Sequence, residues 1–407
     1  MDEIIINSFL KFGYDLKFEN KDYIFNFSKI DKNKYSNIDE RTLVDEGKKA
    51  LYTSFENIFE SGKKNVVPLS GGLDSRAILA VLLEFTEAKN IYTYTFGTPT
   101  TLDYEIGNFI AKVFNTKHIS YDLSKYEYTQ KELIRISNKI DGQTVLFHHP
   151  PLHEIEKEFI DGTIWSGFMG DPIAGGHLSN CNTNDIFKIK DQFIQNNTYA
   201  KSIKLDCLDN SKYYEFIEDF GIDEKLLTLQ EQFDFNNRQL KFVAPHVLVK
   251  GFEYKIPFLE DEWTSFILSV DNRFRYNQYL HKKILGYTFP KIFNYPTKTN
   301  YGAKLNANLL EKNMYRIKNY ARRQLSHLFT NLHNPMTNYI DFNKGIRTRK
   351  DLNRIIYSNI ADLASRNIVH NIDVMDLWNA HISKKENYGD ALLLLTSLEI
   401  NLKAKNL

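Results

Sequence analysis

The sequence contains little cysteine: Cys181 and Cys207 are the two cysteines among 407 residues. Two cysteines cannot form the disulfide framework of a small secreted protein. Residues 1–6 are acidic with a short apolar run, unlike a secretory leader. No segment has the roughly 18 apolar residues that a membrane-spanning helix requires, and the apolar run at 392–395 is short. We therefore expect a cytoplasmic protein without a membrane partner.

An excess of either charge is also lacking. Lys and Arg number 52 and Asp and Glu number 51, which gives a formal net charge of +1. The whole chain therefore has no electrostatic attraction to nucleic acid, and we expect no nucleic-acid partner. Residues 312–350 depart from this balance, since Asp341 is the one acidic residue in a stretch rich in Lys and Arg. This stretch could bind a polyanionic or peptide partner, although a solvated helical surface is the simpler interpretation.

Strand and helix patterns alternate from Val66 to about Ile173. This alternation predicts β-α-β units and therefore an α/β fold with a parallel sheet. The predicted strands lie at 66–69, 91–96, 118–121 and 163–165, and the predicted helices at 76–84 and 104–114.

The rest of the chain lacks this alternation. Residues 1–45 are predicted as short strands and turns, because the side chains at 23–27 would alternate between the two faces of a strand, and residues 46–62 are predicted as helical. The pattern after about residue 184 is helical. We predict an N-terminal extension, either a remnant or a linker, then a nucleotide domain with a helical insertion, then a C-terminal helical region, at 1–62, 63–300 (insertion about 184–245) and 301–407.

The sequence Ser-Gly-Gly-Leu-Asp-Ser at 70–75 lies between the first predicted strand and the first predicted helix. Parallel sheets bind ligands at this position. Gly71 and Gly72 let the backbone approach an anion closely, and the helix N-terminus favours negative charge. Asp74 would repel a bare phosphate, so it indicates a Mg²⁺ ion between the carboxylate and the phosphate oxygens. No GxxxxGK[ST] loop occurs, which argues against transfer or hydrolysis of the γ-phosphate.

This loop resembles the pyrophosphate loop of the N-type ATP pyrophosphatases (PP-loop enzymes). Further segments, in the right order, resemble the asparagine synthetase branch of that group. They are Asp-Tyr-Glu at 103–105 with His118, SGFMGDPIAGG at 166–176 (family SGEGxDExFGG), EYKIPFLE at 253–260 (family ExRxPFLD) and KKIL at 282–285 (family KxxL). The resemblance implies an adenine-nucleotide α-hydrolase-like core with interleaved and C-terminal helices.

The resemblance also implies a reaction and a set of site residues. In the family, a carboxylate attacks the α-phosphorus of ATP to give an acyl-adenylate and pyrophosphate, and a nitrogen nucleophile then displaces AMP. Asp74 and Asp171 would hold Mg²⁺, and Lys282 would be the catalytic lysine that neutralises developing charge, with Asp171 as the second catalytic residue. The residues expected to contact ATP are Leu69, Ser70, Gly71, Gly72, Asp74, Ser75, Phe96, Ser166 and Gly167.

Three departures from the family pattern bear on the substrate. Residue 2 is Asp2 rather than the nucleophilic cysteine of a glutaminase domain, so we expect nitrogen from ammonia, an amine or a partner glutaminase. Phe168 replaces the glutamate that positions the nitrogen nucleophile, and Asp234, His148 or His149 are alternative bases. Leu146 stands where asparagine synthetases place the arginine that binds aspartate. Free aspartate is therefore not the expected substrate, whereas a small-molecule, peptide or saccharide carboxylate remains open.

Two further sets of residues have a functional and a simpler interpretation. His149 and His153 would share a helix face, yet a packing or substrate-pocket cluster is simpler than a metal site because no Cys or paired carboxylate completes a ligand set. Arg238 could bind substrate or phosphate, or lie on the surface.

The function expected from these features is an AMP-forming carbon–nitrogen ligase that uses ATP and Mg²⁺. Two alternatives remain open. One is an RNA-modifying enzyme with the same ATP chemistry, and the other is a nucleotide-binding regulator without catalysis, for which Phe168 is the best argument.

Overall fold

The computed structural model describes residues 2–178, 185–326 and 333–406, so Cys181 lies outside the described residues. One parallel sheet has the strand order β3-β2-β1-β4-β5. The strands are β1 (Asn65–Pro68), β2 (Ile91–Gly97), β3 (Lys117–Asp122), β4 (Thr163–Trp165) and β5 (Glu253–Lys255). The α/β fold class and the four predicted strands are confirmed. The sequence does not predict β5, because this short charged strand lacks an apolar run.

The central position of β1, between β2 and β4, creates the point in the sheet where a ligand is expected. Asn65 in β1 pairs with Ile91 of β2 on one side and with Thr163 of β4 on the other. The chain winds outward from β1 in both directions, so the gap between β1 and β4 is the topological switch point of the sheet. Open α/β sheets bind ligands in the crevice beside the carboxyl ends of the strands at such a point.

Helices surround the sheet and form most of the remaining described chain. Those in the first half are α1 (Glu3–Phe12), α2 (Glu40–Glu56), α3 (Asp74–Phe85), α4 (Leu102–Phe114), α5 (Gln130–Lys139), α6 (Leu152–Phe159), α7 (Gly170–Ile173) and α8 (Ile186–Asn197). Those in the second half are α9 (Leu229–Phe233), α10 (Ala244–Val247), α11 (Asp261–Ser269), α12 (Asn272–Arg275), α13 (Tyr279–Thr288), α14 (Pro290–Phe293), α15 (Leu309–Ser326), α16 (Phe342–Thr348), α17 (Lys350–Arg366), α18 (Val374–Ile382) and α19 (Gly389–Ala404). A π-helical segment, Asp234–Val243, joins α9 to α10.

Buried side chains of the sheet and its covering helices make the first core. Trp165 at the end of β4 stacks on Phe55 of α2 with ring centroids 5.3 Å apart. Its indole N–H donates to the Asn65 side chain at 2.8 Å, so this large ring is buried without an unsatisfied donor. The contact fixes α2 against β1 and β4, directly below the loop that follows β1.

A second core surrounds α19, which is buried along most of its length. A helix that is apolar all round belongs inside a protein, and the leucines at 392–395 are the centre of this one. The buried carboxylate of Glu399 is paired with Arg366 Nε at 2.7 Å, which compensates its charge. Helices α1, α5 and α17 pack against α19.

Within residues 2–45, the predicted turns are present but the predicted short strands do not form. Residues 3–12 form α1, whose first turn is capped by the Asp2 side chain and whose end is marked by Gly13 with φ of 81°. Residues 23–27 are irregular. Their aromatic side chains alternate because Phe25 and Phe27 contact Phe220 and other rings, not because they pair with a neighbouring strand.

No helix within the described ranges is long and apolar enough to cross a membrane.

Candidate active site

The loop at 70–75 folds into a compact turn between β1 and α3. The Oγ atoms of Ser70 and Ser75 lie 3.1 Å apart, and Ser75 Oγ accepts the Ser70 N–H at 3.2 Å. Ser70 Oγ in turn accepts the Gly72 N–H at 3.1 Å. The turn leads into α3, whose N-terminus carries partial positive charge. Backbone N–H groups, two hydroxyls and a helix N-terminus together form an anion-binding concavity.

Asp103 and Lys298 lie beside this loop. The Gly71 N–H donates to Asp103 Oδ1 at 3.2 Å, and Gly71 O accepts the Lys298 N–H at 2.8 Å. The Lys298 ammonium pairs with Asp103 Oδ2. A Cβ on Gly71 would lie 3.0 Å from Lys298 Cβ, so glycine permits the approach. Sequence reasoning missed Lys298, because no local pattern marks it and Asp103 lies 195 positions away.

Asp74 and Asp171 face each other across the switch point. Asp74 Oδ1 is buried without a hydrogen-bond partner. Burial first, and then the charge of Asp171, raise the pKa of Asp74 to about 8, and the Asp171 backbone N–H opposes this rise. A Cβ on Gly170 would come within 2.5 Å of the Asp74 carboxyl carbon, so glycine preserves the space beside it. An unpartnered carboxylate oxygen opposite a second carboxylate fits a Mg²⁺ ion, which prefers oxygen ligands.

Gln278 and His177 hold the Asp171 carboxylate. Gln278 Nε2 donates to Asp171 Oδ1, and His177 Nε2 lies 3.6 Å from Asp171 Oδ2. The backbone around Gln278 is unusual, because Asn277 and Gln278 both have positive φ, at 54° and 58°. Two consecutive left-handed residues other than glycine cost conformational energy and are typical of functional positions.

His177 is cationic at neutral pH. Its Nδ1 also lies 2.8 Å from Asp234 Oδ2. Burial disfavours the imidazolium, but the hydrogen bonds that its ring donates to the Asp171 and Asp234 carboxylates raise the pKa of His177 to about 9. Gln239 Nε2 donates to the Asp234 carboxylate at 3.1 Å. Asp234 and Gln239 both lie on the π-helical segment, a form of helix that is often found at functional sites.

The loop opens into a cleft of about 490 Å³. Most of the predicted nucleotide and metal residues line it, namely Ser70, Gly72, Asp74, Ser75, Phe96, Ser166, Gly167 and Asp171. One part of the wall is apolar and aromatic, with Tyr94, Leu152, Ile155, Ile164, Phe252 and Tyr254. A cleft with an apolar wall at one end and an anion-binding turn at the other fits a nucleotide base and its phosphates.

Three predicted site residues do not line this cleft. Leu69 is buried, and its carbonyl accepts the Thr95 hydroxyl at 2.7 Å. Gly71 points its N–H towards Asp103 instead. Lys282 donates from Nζ to the Asn277 carbonyl at 2.7 Å and lines a separate cavity together with Lys312. Burial lowers the pKa of Lys282, and the nearby Lys312 charge adds to this effect.

Phe168 and Leu146 are both buried. Phe168 lines the cleft, is 4% exposed, and lies 6.1 Å from the Tyr23 ring. Met169 has φ of 67°, so the turn adopts a left-handed conformation at the position where the family motif has glycine. Leu146 packs in the core around α19, away from the cleft, and its N–H donates to Ser397.

The predicted shared helix face of His149 and His153 is wrong, because His149 precedes α6 and His153 lies within it. His149 is buried, with Nε2 3.1 Å from Thr144 Oγ1, and its ring lies 4.3 Å from that of His246. Burial lowers the pKa of His246 to about 4. His246 and Arg238 line the cleft, whereas His148 lies in another cavity and stacks on Tyr339. The histidines that line the cleft are thus His177 and His246, and sequence reasoning missed both.

A parallel α/β sheet with an anion-binding turn and a carboxylate pair at its switch point defines a nucleotide-binding type of domain. Residues 46–159 match the family described as asparagine synthase, so this part of the chain is similar to the synthetase domain of that family. The match includes the loop at 70–75 and Asp103 and ends before Asp171.

A relative in Methanocaldococcus jannaschii, provisionally named asparagine synthetase (glutamine-hydrolyzing) 2, is 28% identical over 149 residues. The alignment covers 35% of this chain and 28% of the length of that relative.

Proposed function

We propose that this protein is an ATP-dependent, AMP-forming ligase that activates a carboxylate and transfers it to ammonia or an amine. The observation that carries the proposal is the loop at 70–75 opposite Asp74 and Asp171, at the switch point of a sheet whose first three strands match the asparagine synthase family. In this proposal the loop would hold the β- and γ-phosphates together, which would leave the α-phosphorus open to attack.

We assign parts in this reaction to the loop, the apolar wall and the two aspartates of the cleft. Ser70, Gly72 and the N-terminus of α3 bind pyrophosphate oxygens, and the apolar wall near Phe96 holds adenine. Asp74 and Asp171 would hold a Mg²⁺ ion, which would supply positive charge beside the pyrophosphate.

Lys298 is our candidate for the cation that stabilises charge on the reacting phosphate, since its ammonium lies beside the loop on Asp103. Lys282 was expected in this role from the family resemblance. Its contact with the Asn277 carbonyl, in a cavity with Lys312, favours Lys298.

A substrate other than free aspartate is supported by Phe168, which lines the cleft and puts an apolar ring where the family motif has glutamate. Leu146 is packed in the core around α19, away from the cleft, and does not bear on the substrate. For the proton of the attacking amine we propose His246 as the acceptor, because it is neutral and lines the cleft. His177, as an imidazolium, cannot take this role.

The test is pyrophosphate release from ATP and Mg²⁺ with a panel of carboxylates, free aspartate among them, and ammonia, amines or hydroxylamine as acceptors. We expect release that depends on a carboxylate other than aspartate and that is lost in Asp74→Ala. Equal release by Asp74→Ala would contradict the metal assignment. Measurable ATP binding without release by any pair of substrates would instead favour the nucleotide-binding regulator, and salt-sensitive RNA binding would favour the RNA-modifying enzyme.

A further inference from the structure

Helix α15 exposes its large apolar side chains and buries a polar one, which is the reverse of an ordinary surface helix. The residue that it buries is Asn319, whose side chain donates to the Tyr301 carbonyl at 2.7 Å. Its large apolar side chains face solvent instead, with exposed fractions between 64% and 78% for Leu309, Leu310, Met314, Ile317 and Tyr320. The spacing of 310, 314 and 317 places these three side chains on one side of the helix. We call these five residues the α15 strip.

Positive charge borders the strip on both sides. Arg316 and Arg323 are exposed along one edge, and Lys318 is exposed along the other. The acidic residue of α15, Glu311, is half-buried and lies on the same side of the helix as Lys318, two turns away. The outward face is therefore apolar along its middle, with Arg316 and Arg323 along one edge and Lys318 and the half-buried Glu311 along the other.

The packing beneath α15 fixes this orientation. Arg322 donates to the Thr100 carbonyl at 2.9 Å, and the Tyr315 ring contacts the position of Gly302. Thr100 and Tyr301 both belong to segments that flank the Lys298–Asp103 pair. The α15 strip thus faces outward on the side of the molecule near the loop at 70–75.

We propose that the α15 strip docks this protein on an anionic lipid surface. Helices that lie in a membrane interface combine an apolar face with bordering Lys and Arg, and they need no spanning length. The expectation of no membrane partner rested on the lack of a spanning segment and does not address this mode of binding. The inference goes beyond the ligase chemistry proposed above and does not depend on it.

The shape and charge of the strip favour lipid over protein. The strip is a ridge, and none of its residues lines a cavity among those described, whereas protein interfaces centre on side chains that fill pockets. A second copy of this chain would bring Arg316, Lys318 and Arg323 against the same cations, at an energetic cost. Acyl chains accommodate a ridge, and anionic headgroups match Arg316 and Arg323 at one edge and Lys318 at the other.

The experiment is flotation of the full chain with vesicles of 3:1 phosphatidylcholine and phosphatidylglycerol, compared with pure phosphatidylcholine. We expect binding to the anionic vesicles that weakens with salt. The triple variant Leu310→Gln, Met314→Gln, Ile317→Gln should lower the partition coefficient by at least about tenfold. The charge variant Arg316→Gln, Lys318→Gln, Arg323→Gln should remove the preference for phosphatidylglycerol.

Matched controls lie elsewhere on the surface. Ile24 and Phe187 are 86% and 60% exposed, and the double variant Ile24→Gln, Phe187→Gln should bind vesicles as the parent chain does. Failure of the parent chain to bind anionic vesicles, or undiminished binding by the triple variant, would overturn the proposal. Light scattering that shows a dimer dissociated by the triple variant, without vesicle binding, would overturn it in favour of an interface between copies.

Discussion

Replacing Asp74 with asparagine should make the protein more stable and inactive at the same time. The Asp74 carboxyl has an ordinary pKa of 3.8 and a pKa of about 8 in the folded protein, because it is buried and faces Asp171. Below pH 3.8 the carboxyl is protonated in both the folded and the unfolded chain, and it does not affect stability. Between pH 3.8 and 8 the unfolded chain releases the proton while the folded chain retains it, so the free energy of unfolding falls as pH rises.

The magnitude follows from the same shift. The shifted pKa of Asp74 lowers the free energy of unfolding by about 4 kcal/mol at pH 7 and by about 1.5 kcal/mol at pH 5. Water that enters the cleft lowers both values, so we expect Asp74→Asn to raise the free energy of unfolding by about 2 kcal/mol at pH 7 and by less than about 1 kcal/mol at pH 5. Asparagine has nearly the same shape and carries no charge, so packing contributes little to the difference.

Urea unfolding in EDTA at pH 5 and pH 7 measures these differences. Asp103→Asn is the control, because its carboxylate is paired with Lys298 and its removal should destabilise the protein. Addition of MgATP should stabilise the parent chain more than Asp74→Asn, since the variant lacks a metal ligand. An Asp74→Asn protein that is less stable than the parent at pH 7, or whose gain is as large at pH 5, would refute this reasoning.

Three further predictions concern single side chains. Lys298→Ala should lower kcat at least about 100-fold, whereas Lys282→Ala should have a much smaller effect. Steady-state pyrophosphate release compares the two variants. A larger loss of kcat in Lys282→Ala than in Lys298→Ala would restore Lys282 to the catalytic role. Gln278→Leu should raise the Mg²⁺ concentration needed for half-maximal activity about 10- to 100-fold, because it removes a donor that orients Asp171; an unchanged Mg²⁺ titration would contradict this. Glu231→Gln should cost about 3–5 kcal/mol, because it leaves the buried Arg275, paired at 2.6 Å, without its counter-charge; urea unfolding with Glu215→Gln as the exposed control tests it.

The sequence predicts the sheet well where its signals are local. The strands at 66–69 and 91–96 are short apolar or β-branched runs, and the loop between them contains two glycines at a strand–helix junction. Residues 1–45 were harder to predict, because α1 is stabilised by packing against α19 far along the chain. The alternation at 23–27 arises from contacts with distant aromatic rings, and a strand gives the same local pattern.

The residues of the candidate site likewise fall into two groups, those that a local sequence pattern marks and those that it does not. Asp74 and Asp171 are marked by their own segments, so both can be chosen from sequence and both line the cleft. Lys298 and Gln278 reach the site through contacts with residues more than 100 positions away. Such contacts depend on how the helices pack, and no local pattern in one sequence records them.

The central claim is that ATP is cleaved between its α- and β-phosphates. Incubation of the protein and its Mg²⁺ with ATP labelled in the α- or the γ-phosphate, at high protein concentration with pooled carboxylates and hydroxylamine, tests this claim most directly. We predict that the labels appear in AMP and in pyrophosphate, and that neither product forms with Asp74→Ala. Labels in ADP and inorganic phosphate would contradict the account.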